Sequence, residues 1–320
     1  MKLPALAIPM GDAGGIGPEI ALKAALDPAV RAICEPVVIG DRGALEFHAR
    51  AARISLEGIK LIERKVLAPG ELQIGKIAAA HGRAALDCAE TAIRGALAGE
   101  FEAVVAAPHT ESAIHAAGVE FDGYPSFVAR VAGLPPEDGI LMLCFEYQGR
   151  EVRIAHVTLH TSVAHALKLI TTERVAKTIR AVDAALKKIG IEQPKIAVSG
   201  VNPHAGEGGL FGREDIEMVT PAIESQKNKI RVEGPIGADT LIQRKGYDAY
   251  VVMLHDQGHV AAKLLAPNRV AGLTIGTPVL FSSVAHGAAL DIAGQGRADH
   301  RAMVEAITRL VGRRRRAAAT

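Results

Sequence analysis

The sequence predicts an α/β protein built on parallel β-sheet. Short apolar runs alternate with longer helical segments along its 320 residues, and this alternation is typical of parallel strands joined by helices. Several of the apolar runs end in segments rich in Gly and His, and open α/β sheets bind ligands at such strand ends. The chain is 49% hydrophobic and 22% charged, which allows a substantial core and two domains.

The elements follow one another in order. A strand at residues 3–9 runs into a glycine loop, where Pro18 suits the first helical position and Glu19 complements the positive end of a helix. Aliphatic or β-branched runs predict further strands at residues 36–39, 101–107, 153–159, 195–199 and 249–254. Helices are predicted at residues 18–25, 43–52, 81–98, 162–169, 172–189, 215–225 and 302–310.

The glycine loop at residues 11–19 has some features of a dinucleotide-binding loop. In that interpretation Asp41, after the second strand, would bind the ribose. The third glycine of the G-x-G-x-x-G pattern is missing, because Ile20 stands in its place. A structural tight turn is therefore the favoured interpretation of this loop.

Composition argues against several classes of function. Aromatic residues make up 3% of the chain, Trp is absent and the net charge is +2, so neither nucleic acid nor another polyanion is an expected partner. The basic run Arg313–Arg316 is interpreted as a solvated chain end. No apolar run is long enough for a bilayer, and no signal peptide is expected. Reduced core cysteines of a cytoplasmic protein are predicted at Cys34, Cys88 and Cys144.

Three histidines stand at or just past apolar runs, namely His160, His204 and His255. A single histidine there is more often a satisfied core residue. Strand ends of an open sheet converge on one crevice, so we expect the three imidazoles to meet and bind a divalent metal. Zn²⁺ is the favoured ion, and its open positions would take substrate oxygens.

Carboxylates and a lysine accompany these histidines. Asp256 and Asp239 are predicted to orient ligands or to act as acid and base. Lys263, placed beyond a short turn after His255, is predicted to hold an anionic substrate oxygen or to pass a proton, with plain solvation as the alternative. His156 and His259 are interpreted as structural or substrate-facing.

At these residues the sequence resembles the 4-hydroxythreonine-4-phosphate dehydrogenase family over nearly its whole length. The motifs are residues 11–19, 202–209 with 212–214, 234–240, 255–258, 283–287 and 290–294. The resemblance implies a homodimer whose metal is held by His160, His204 and His255, one of them from the partner subunit. It also implies that Lys263 binds substrate.

The same resemblance implies the fold and the cofactor. We expect two α/β/α domains with a cleft between them, as in isocitrate and isopropylmalate dehydrogenases. One domain would comprise residues 1–120 plus 286–320 and the other residues 121–285. Residues 286–294 are similar to the adenosine-binding loop of those enzymes, which implies NAD. The expected cofactor-binding residues are His286, Gly287, Asp291, Asn202, Glu207 and Gly208.

Departures from the family pattern bear on the substrate. The family has a His-Thr pair, an Asn and an Arg where this chain has Tyr124-Pro125, Gly272 and Phe281. Charge-assisted contacts contribute about 1.5–3 kcal/mol each, so phosphate binding would be much weaker here. The substrate-binding residues are therefore expected to be Tyr124, Lys263, Gly272 and Phe281, which suit a ring.

The sequence is more similar still to the terephthalate cis-dihydrodiol dehydrogenases, a decarboxylating branch. Residues 107–115, 123–126, 157–160 and 254–268 carry this likeness. It implies metal-dependent, NAD-linked conversion of a cyclic diol dicarboxylate to protocatechuate and CO₂. The alternatives are oxidation of 4-hydroxythreonine-4-phosphate, phosphothreonate or phosphoerythronate, and a metal-dependent sensor without catalysis.

Overall fold

The computed structural model describes residues 3–267 and 269–312, so the predicted tail at Arg313–Arg316 lies outside the described residues. The strands are β1 (Ala5–Pro9), β2 (Glu35–Gly40), β3 (Lys60–Glu63), β4 (Ala103–Ala106), β5 (Ile140–Tyr147), β6 (Arg150–His156), β7 (Lys195–Ser199), β8 (Arg231–Ile236), β9 (Ala249–Val252), β10 (Ala271–Ile275) and β11 (Phe281–Val284). The helices are α1 (Gly17–Leu26), α2 (Pro28–Arg31), α3 (Arg42–Ala52), α4 (Ala79–Leu97), α5 (Glu111–Ala116), α6 (Tyr124–Val131), α7 (Val163–Leu169), α8 (Thr172–Lys188), α9 (Thr220–Gln226), α10 (Ala238–Leu241), α11 (His255–Leu265) and α12 (Arg301–Ile307). A π-helical turn at Asp215–Val219 leads into α9. Each predicted strand and helix is present, with ends shifted by a few residues.

The chain divides into two compact units. The first unit contains the residues up to Asp138 and those from Thr277 onward. Its strands run parallel in the order β3, β2, β1, β4, β11. Because the strand order reverses on the two sides of β1, the loops after β1 and β4 lie at a topological switch point, where open sheets bind ligands.

The second unit, Gly139–Gly276, contains a mixed sheet. Strands β6, β9, β7 and β8 run parallel, whereas β10, β5 and β6 pair antiparallel in that order. The predicted parallel sheet therefore accounts for only part of this unit. Gln148 and Gly149 join β5 to β6 with φ values of 50° and 73°, and two residues of positive φ make the tight turn that antiparallel hairpins favour.

The boundaries between the units differ from those expected. They fall at 138/139 and 276/277, where the sequence was interpreted as changing domain at 120/121 and 285/286. Helix α6 packs against α4, and Phe281 pairs with Val104 where β11 joins β4. Tyr124 and Phe281 consequently belong to the first unit.

The glycine loop after β1 is a tight structural turn. Gly11 has a φ of 69° and packs so closely on the backbone at Pro108 that a Cβ would overlap its carbonyl. The Asp41 carboxylate accepts hydrogen bonds from the Ala44 and Leu67 amides, at 3.1 and 3.4 Å. Asp41 thus caps α3, which gives this acidic residue a structural role after β2.

Two predictions from composition can be compared with the structure. The three cysteines are buried, as predicted. Among the described residues, no helix combines the length and the apolar character needed to cross a bilayer.

Candidate active site

Histidines gather where β6 and β9 end. His156 is the last residue of β6, and His160 follows four residues later. His255 begins α11, directly after β9, and His259 lies one turn further along that helix. Since β6 and β9 are parallel neighbours, their carboxyl ends bring the four rings together. The His160 and His255 centroids are 5.6 Å apart, and His255 stacks on His259 at 3.7 Å.

Burial keeps two of these imidazoles neutral. Burial, followed by the neighbouring His259, lowers the pKa of His156 to about 3. Burial and the neighbouring His255 lower the pKa of His259 to about 4. The Nε2 atom of His156 is buried and has no hydrogen-bond partner among the described residues. A neutral imidazole is the form that binds metals, so His156 and His259 are in the form that suits a cation.

Asp256 sets the orientation of His255. Its carboxylate lies 2.7 Å from Nδ1 of His255. A proton donated from Nδ1 to this carboxylate leaves Nε2 with a lone pair directed away from Asp256. Carboxylates orient metal-binding histidines in this way and raise their basicity. The orienting role predicted for Asp256 is therefore compatible with its position.

His204 lies on a different loop, in an unusual backbone conformation. Residues His204, Ala205, Gly206, Glu207 and Gly208 all have positive φ, between 43° and 81°, and form a left-handed turn. Each non-glycine residue in this region costs about 1–2 kcal/mol. The His204 side chain is 63% exposed and lies 3.2 Å from the Glu207 carboxylate. This turn also contains Asn202, at its start, and Gly208, two of the predicted cofactor-binding residues.

The three predicted metal ligands do not form one group within a single chain. Across residues 3–267 and 269–312, no set of three or more His, Cys, Asp or Glu side chains is arranged to hold a metal ion. His160 and His255 are adjacent, whereas the His204 ring packs against Phe211, with centroids 6.2 Å apart. Within one chain, His160 and His255 thus lie together, and His204 lies apart from them on an exposed turn.

The sequence interpretation overlooked Gln257, which connects the two histidine-bearing strand ends. Its Oε1 accepts hydrogen bonds from the Met253 and Leu254 amides, at 2.9 and 3.0 Å. Its Nε2 donates to the Gly200 carbonyl, at 3.1 Å. One side chain thereby links the end of β9, which precedes His255, to the end of β7, which precedes the His204 turn. A Gln at the third position of a helix was the available signal.

Lys263 and Asp239 lie on helices. Lys263 is exposed and shares α11 with His255, so its expected position beyond a short turn is wrong. A Cβ at Gly258 would overlap Nε2 of His156, so this glycine permits close packing and does not break the helix. Asp239, on α10, lines an open groove of about 670 Å³ together with Asp256. Asp256 also contacts the histidine cluster, through His255.

The predicted ring-binding residues of the first unit form an aromatic cluster. The Tyr124 ring lies 4.7 Å from both His109 and Phe281 and 5.6 Å from Phe121, between centroids. Tyr124 is 4% exposed, and its hydroxyl has no partner among the described residues. Burial raises the pKa of this phenol. His109, which the sequence interpretation left without a role, forms one wall of the cluster.

Gly272 lies elsewhere, in the second unit. It is buried in β10, opposite Leu143 of β5.

The predicted cofactor loop packs on the glycine loop after β1. The Ile16 amide donates to the Ala288 carbonyl at 2.8 Å, and a Cβ at Gly15 would lie 2.7 Å from that of Ala288. Ala289 has a φ of 43° and leads into a short turn that contains Asp291. The segment that begins at His286 and Gly287 therefore lies on the switch-point side of the first sheet.

Comparison with known proteins first gives the class. The relatives below are dehydrogenases, and the chain is an oxidoreductase of that class. The family model of the pyridoxal phosphate biosynthetic protein PdxA matches residues 32–310, and the chain belongs to this family. The family resemblance inferred from the motifs is thus confirmed.

Individual relatives cover nearly the whole chain. It is 42% identical over 307 residues to the 1,2-dihydroxy-3,5-cyclohexadiene-1,4-dicarboxylate dehydrogenase of a Comamonas species, covering 95% of this chain and 96% of the relative. The D-threonate 4-phosphate dehydrogenase of Cupriavidus necator is 38% identical over 324 residues, with the same coverage of 95% and 96%. The crystal structure of a terephthalate 1,2-cis-dihydrodiol dehydrogenase from Burkholderia xenovorans LB400 has a TM-score of 0.73 and 40% identity, and covers 97% of this chain and 99% of that one.

Proposed function

We propose that the protein oxidises and decarboxylates 1,2-dihydroxy-3,5-cyclohexadiene-1,4-dicarboxylate to protocatechuate and CO₂, with NAD and a divalent metal. The main support for this proposal is the aromatic cluster around Tyr124 and Phe281. These residues stand at positions where relatives that bind a phosphate need charged donors. A ring substrate can pack on aromatic side chains, whereas a phosphate needs cations. The 42% identity to a dehydrogenase of this diol supports the same choice.

We further propose that His160 and His255 of one chain and His204 of its partner hold the metal in a homodimer. The 5.6 Å separation of the first two rings and the exposure of the third support this division. Three neutral nitrogen donors with one open position are a set that Zn²⁺ favours. When bound, the ion would polarise the two neighbouring substrate oxygens and make the secondary alcohol more acidic.

The chain's own residues would then position groups and move protons. Asp256 holds His255 in one orientation through Nδ1. Lys263 is proposed to hold the substrate oxygen and to protonate it after CO₂ leaves, and Asp239 to relay protons to solvent. NAD, for which His286, Gly287, Asp291, Asn202, Glu207 and Gly208 are the proposed contacts, would supply the hydride acceptor.

The chemistry of the substrate makes the sequence of steps favourable. Oxidation of the secondary alcohol gives a ketone β to the ring carboxylate, and such an acid readily loses CO₂. Enolisation of the remaining ring gives the aromatic catechol. Gly272 is proposed to leave room for the ring that a larger side chain would fill.

We also propose the fold class and the location. The two units would each have an α/β/α fold like the domains of isocitrate and isopropylmalate dehydrogenases, and the buried cysteines fit a cytoplasmic protein.

The test is NAD reduction by metal-loaded protein that is offered the diol, 4-hydroxythreonine-4-phosphate and D-threonate 4-phosphate in parallel. The proposal expects reduction and CO₂ release with the diol alone, and loss of both after chelation. Reduction only with a phosphorylated substrate would assign the second candidate function, which the 38% identity to a D-threonate 4-phosphate dehydrogenase favours. Metal-dependent binding of the diol without turnover would indicate a sensor.

A further inference from the structure

We propose that Asp215 is a positioning residue for His204: it holds the left-handed turn that presents this histidine to the metal. The inference rests on the proposed metal site. Asp215 opens the π-helical turn before α9 and is 1% exposed. No role had been predicted for it from the sequence.

The contacts of Asp215 are directed at the start of the turn. One carboxylate oxygen accepts from the Val201 amide at 2.7 Å. The other accepts from the Asn202 amide at 3.1 Å and from its side-chain Nδ2 at 3.2 Å. Within the described residues Asp215 makes no ion pair, so N–H groups of this segment are its partners. A buried carboxylate that accepts hydrogen bonds from backbone N–H groups fixes the path of that backbone.

The turn needs such a support because its own conformation is unfavourable. Three non-glycine residues, His204, Ala205 and Glu207, have positive φ there. Residues in this region persist only when their surroundings over-determine them, and they cluster at functional sites. A Cβ at Gly200 would lie 2.7 Å from Cα of Ala205 and 3.0 Å from the Asp215 carboxylate, so turn and carboxylate pack on one another.

The function of this arrangement follows from where it puts His204. An exposed imidazole on a relaxed loop would lose rotational and backbone entropy on binding a metal. A turn that is already fixed before the metal binds has lost its backbone entropy on folding, so binding does not have to remove it. Groups that orient metal ligands typically change metal affinity by about 10–100-fold when they are removed.

The experiment compares Asp215→Asn with Glu214→Gln. The asparagine keeps the shape of Asp215 but turns an NH₂ group toward a backbone N–H donor. Glu214 also accepts from Asn202 Nδ2, at 2.8 Å, but it is only half-buried, whereas Asp215 is fully buried, so it provides the matched control. Zn²⁺ affinity is measured by competition with a chromogenic chelator. We expect about a 10–100-fold loss for Asp215→Asn and little change for Glu214→Gln.

Two further variants keep the proposal testable if Asp215→Asn folds poorly. Gly200→Ala displaces the turn without changing a charge and should weaken Zn²⁺ binding as well. Ala205→Gly should restore part of the affinity in the Asp215→Asn background, since glycine adopts positive φ at no steric cost. A role in stability alone would lower Tm without this rescue.

Amide hydrogen exchange gives a readout that needs no metal. The Val201 and Asn202 amides should lose protection in Asp215→Asn and keep it in Glu214→Gln. The inference would be overturned if Asp215→Asn left the exchange of the Val201 and Asn202 amides unchanged. It would also be overturned if His204→Ala weakened Zn²⁺ binding and Asp215→Asn did not. Failure of His204→Ala to affect Zn²⁺ would instead count against the proposed metal site.

Discussion

Replacing Tyr124 by Phe should stabilise the protein. The Tyr124 hydroxyl is buried and has no hydrogen-bond partner in the part of the chain that the structure describes. Burying such a group costs about 1–3 kcal/mol. Phenylalanine keeps the ring contacts with His109 and Phe281 and removes only the hydroxyl. The free energy of unfolding should therefore rise by about 1 kcal/mol or more, and Tm by about 2–4 °C per kcal/mol in a unit of this size.

Tyr250→Phe is the matched control, with the opposite expected sign. Tyr250 is also buried, but its hydroxyl accepts from Arg150 at 3.0 Å and donates to the Arg244 carbonyl at 2.7 Å. Removing it leaves both groups unpaired and should lower the free energy of unfolding by about 1–3 kcal/mol. Urea denaturation and calorimetry measure both changes.

The reasoning would be refuted if Tyr124→Phe lowered Tm as Tyr250→Phe does. Activity adds a second readout for the same variant. We expect Tyr124→Phe to keep kcat/KM for the diol, because phenylalanine keeps the aromatic ring and its contacts with His109 and Phe281. Tyr124→Ala, which removes the ring, should lower kcat/KM for the diol.

Three other predictions concern the dimer, acid stability and the link between strands. When His204→Ala and His255→Ala chains are mixed and refolded, half of the dimers should contain one intact site, so about a quarter of the wild-type activity should return. Burial lowers the pKa of His48, so its stabilising effect is complete above the ordinary histidine pKa of about 6.5 and is lost as pH falls below that value. His48→Gln should flatten this fall in a plot of Tm against pH. Gln257→Glu loses its donor to the Gly200 carbonyl and should cost about 1–3 kcal/mol in urea denaturation.

Each of these has a control. A mixture of His160→Ala and His255→Ala chains should regain nothing, since both ligands are proposed to come from one chain; recovery there would contradict the division of ligands. His165 and Gln243 are exposed, so His165→Gln should leave the acid limb of the Tm curve unchanged, and Gln243→Glu should leave stability unchanged. If His165→Gln changed the Tm curve as much as His48→Gln, the role of His48 in acid stability would be contradicted. If Gln243→Glu lowered stability as much as Gln257→Glu, the role of Gln257 as a link between strands would be contradicted.

Much of the fold was predictable because apolar runs and helical segments alternate so regularly. The adjacency of His160 and His255 was predictable too, since both follow strands and parallel strand ends share an edge. The β5–β6 hairpin was missed because Gln148-Gly149 is a weak turn signal beside Asn-Gly or Asp-Gly. The helix that carries Lys263 was missed because Gly258 was interpreted as part of a turn, whereas it makes room for His156.

Other parts of the site could not be predicted from local pattern. Asp215 accepts from the Val201 and Asn202 amides, and Gln257 donates to the Gly200 carbonyl. These partners are distant in sequence, so neither periodicity nor motif spacing identifies them. The glycines at 206, 208 and 209 did signal a turn. They did not reveal that His204, Ala205 and Glu207 would also have positive φ, because a buried carboxylate outside the turn determines that conformation.

The aromatic cluster also has a spectroscopic consequence. The chain has no Trp, and its four tyrosines are Tyr124, Tyr147, Tyr247 and Tyr250. Tyr124 is therefore the only tyrosine of the first unit, and Tyr124→Phe would confine tyrosine emission to the second. The difference between the two proteins isolates the emission of one ring beside Phe281, and NADH fluorescence can be recorded without a tryptophan background.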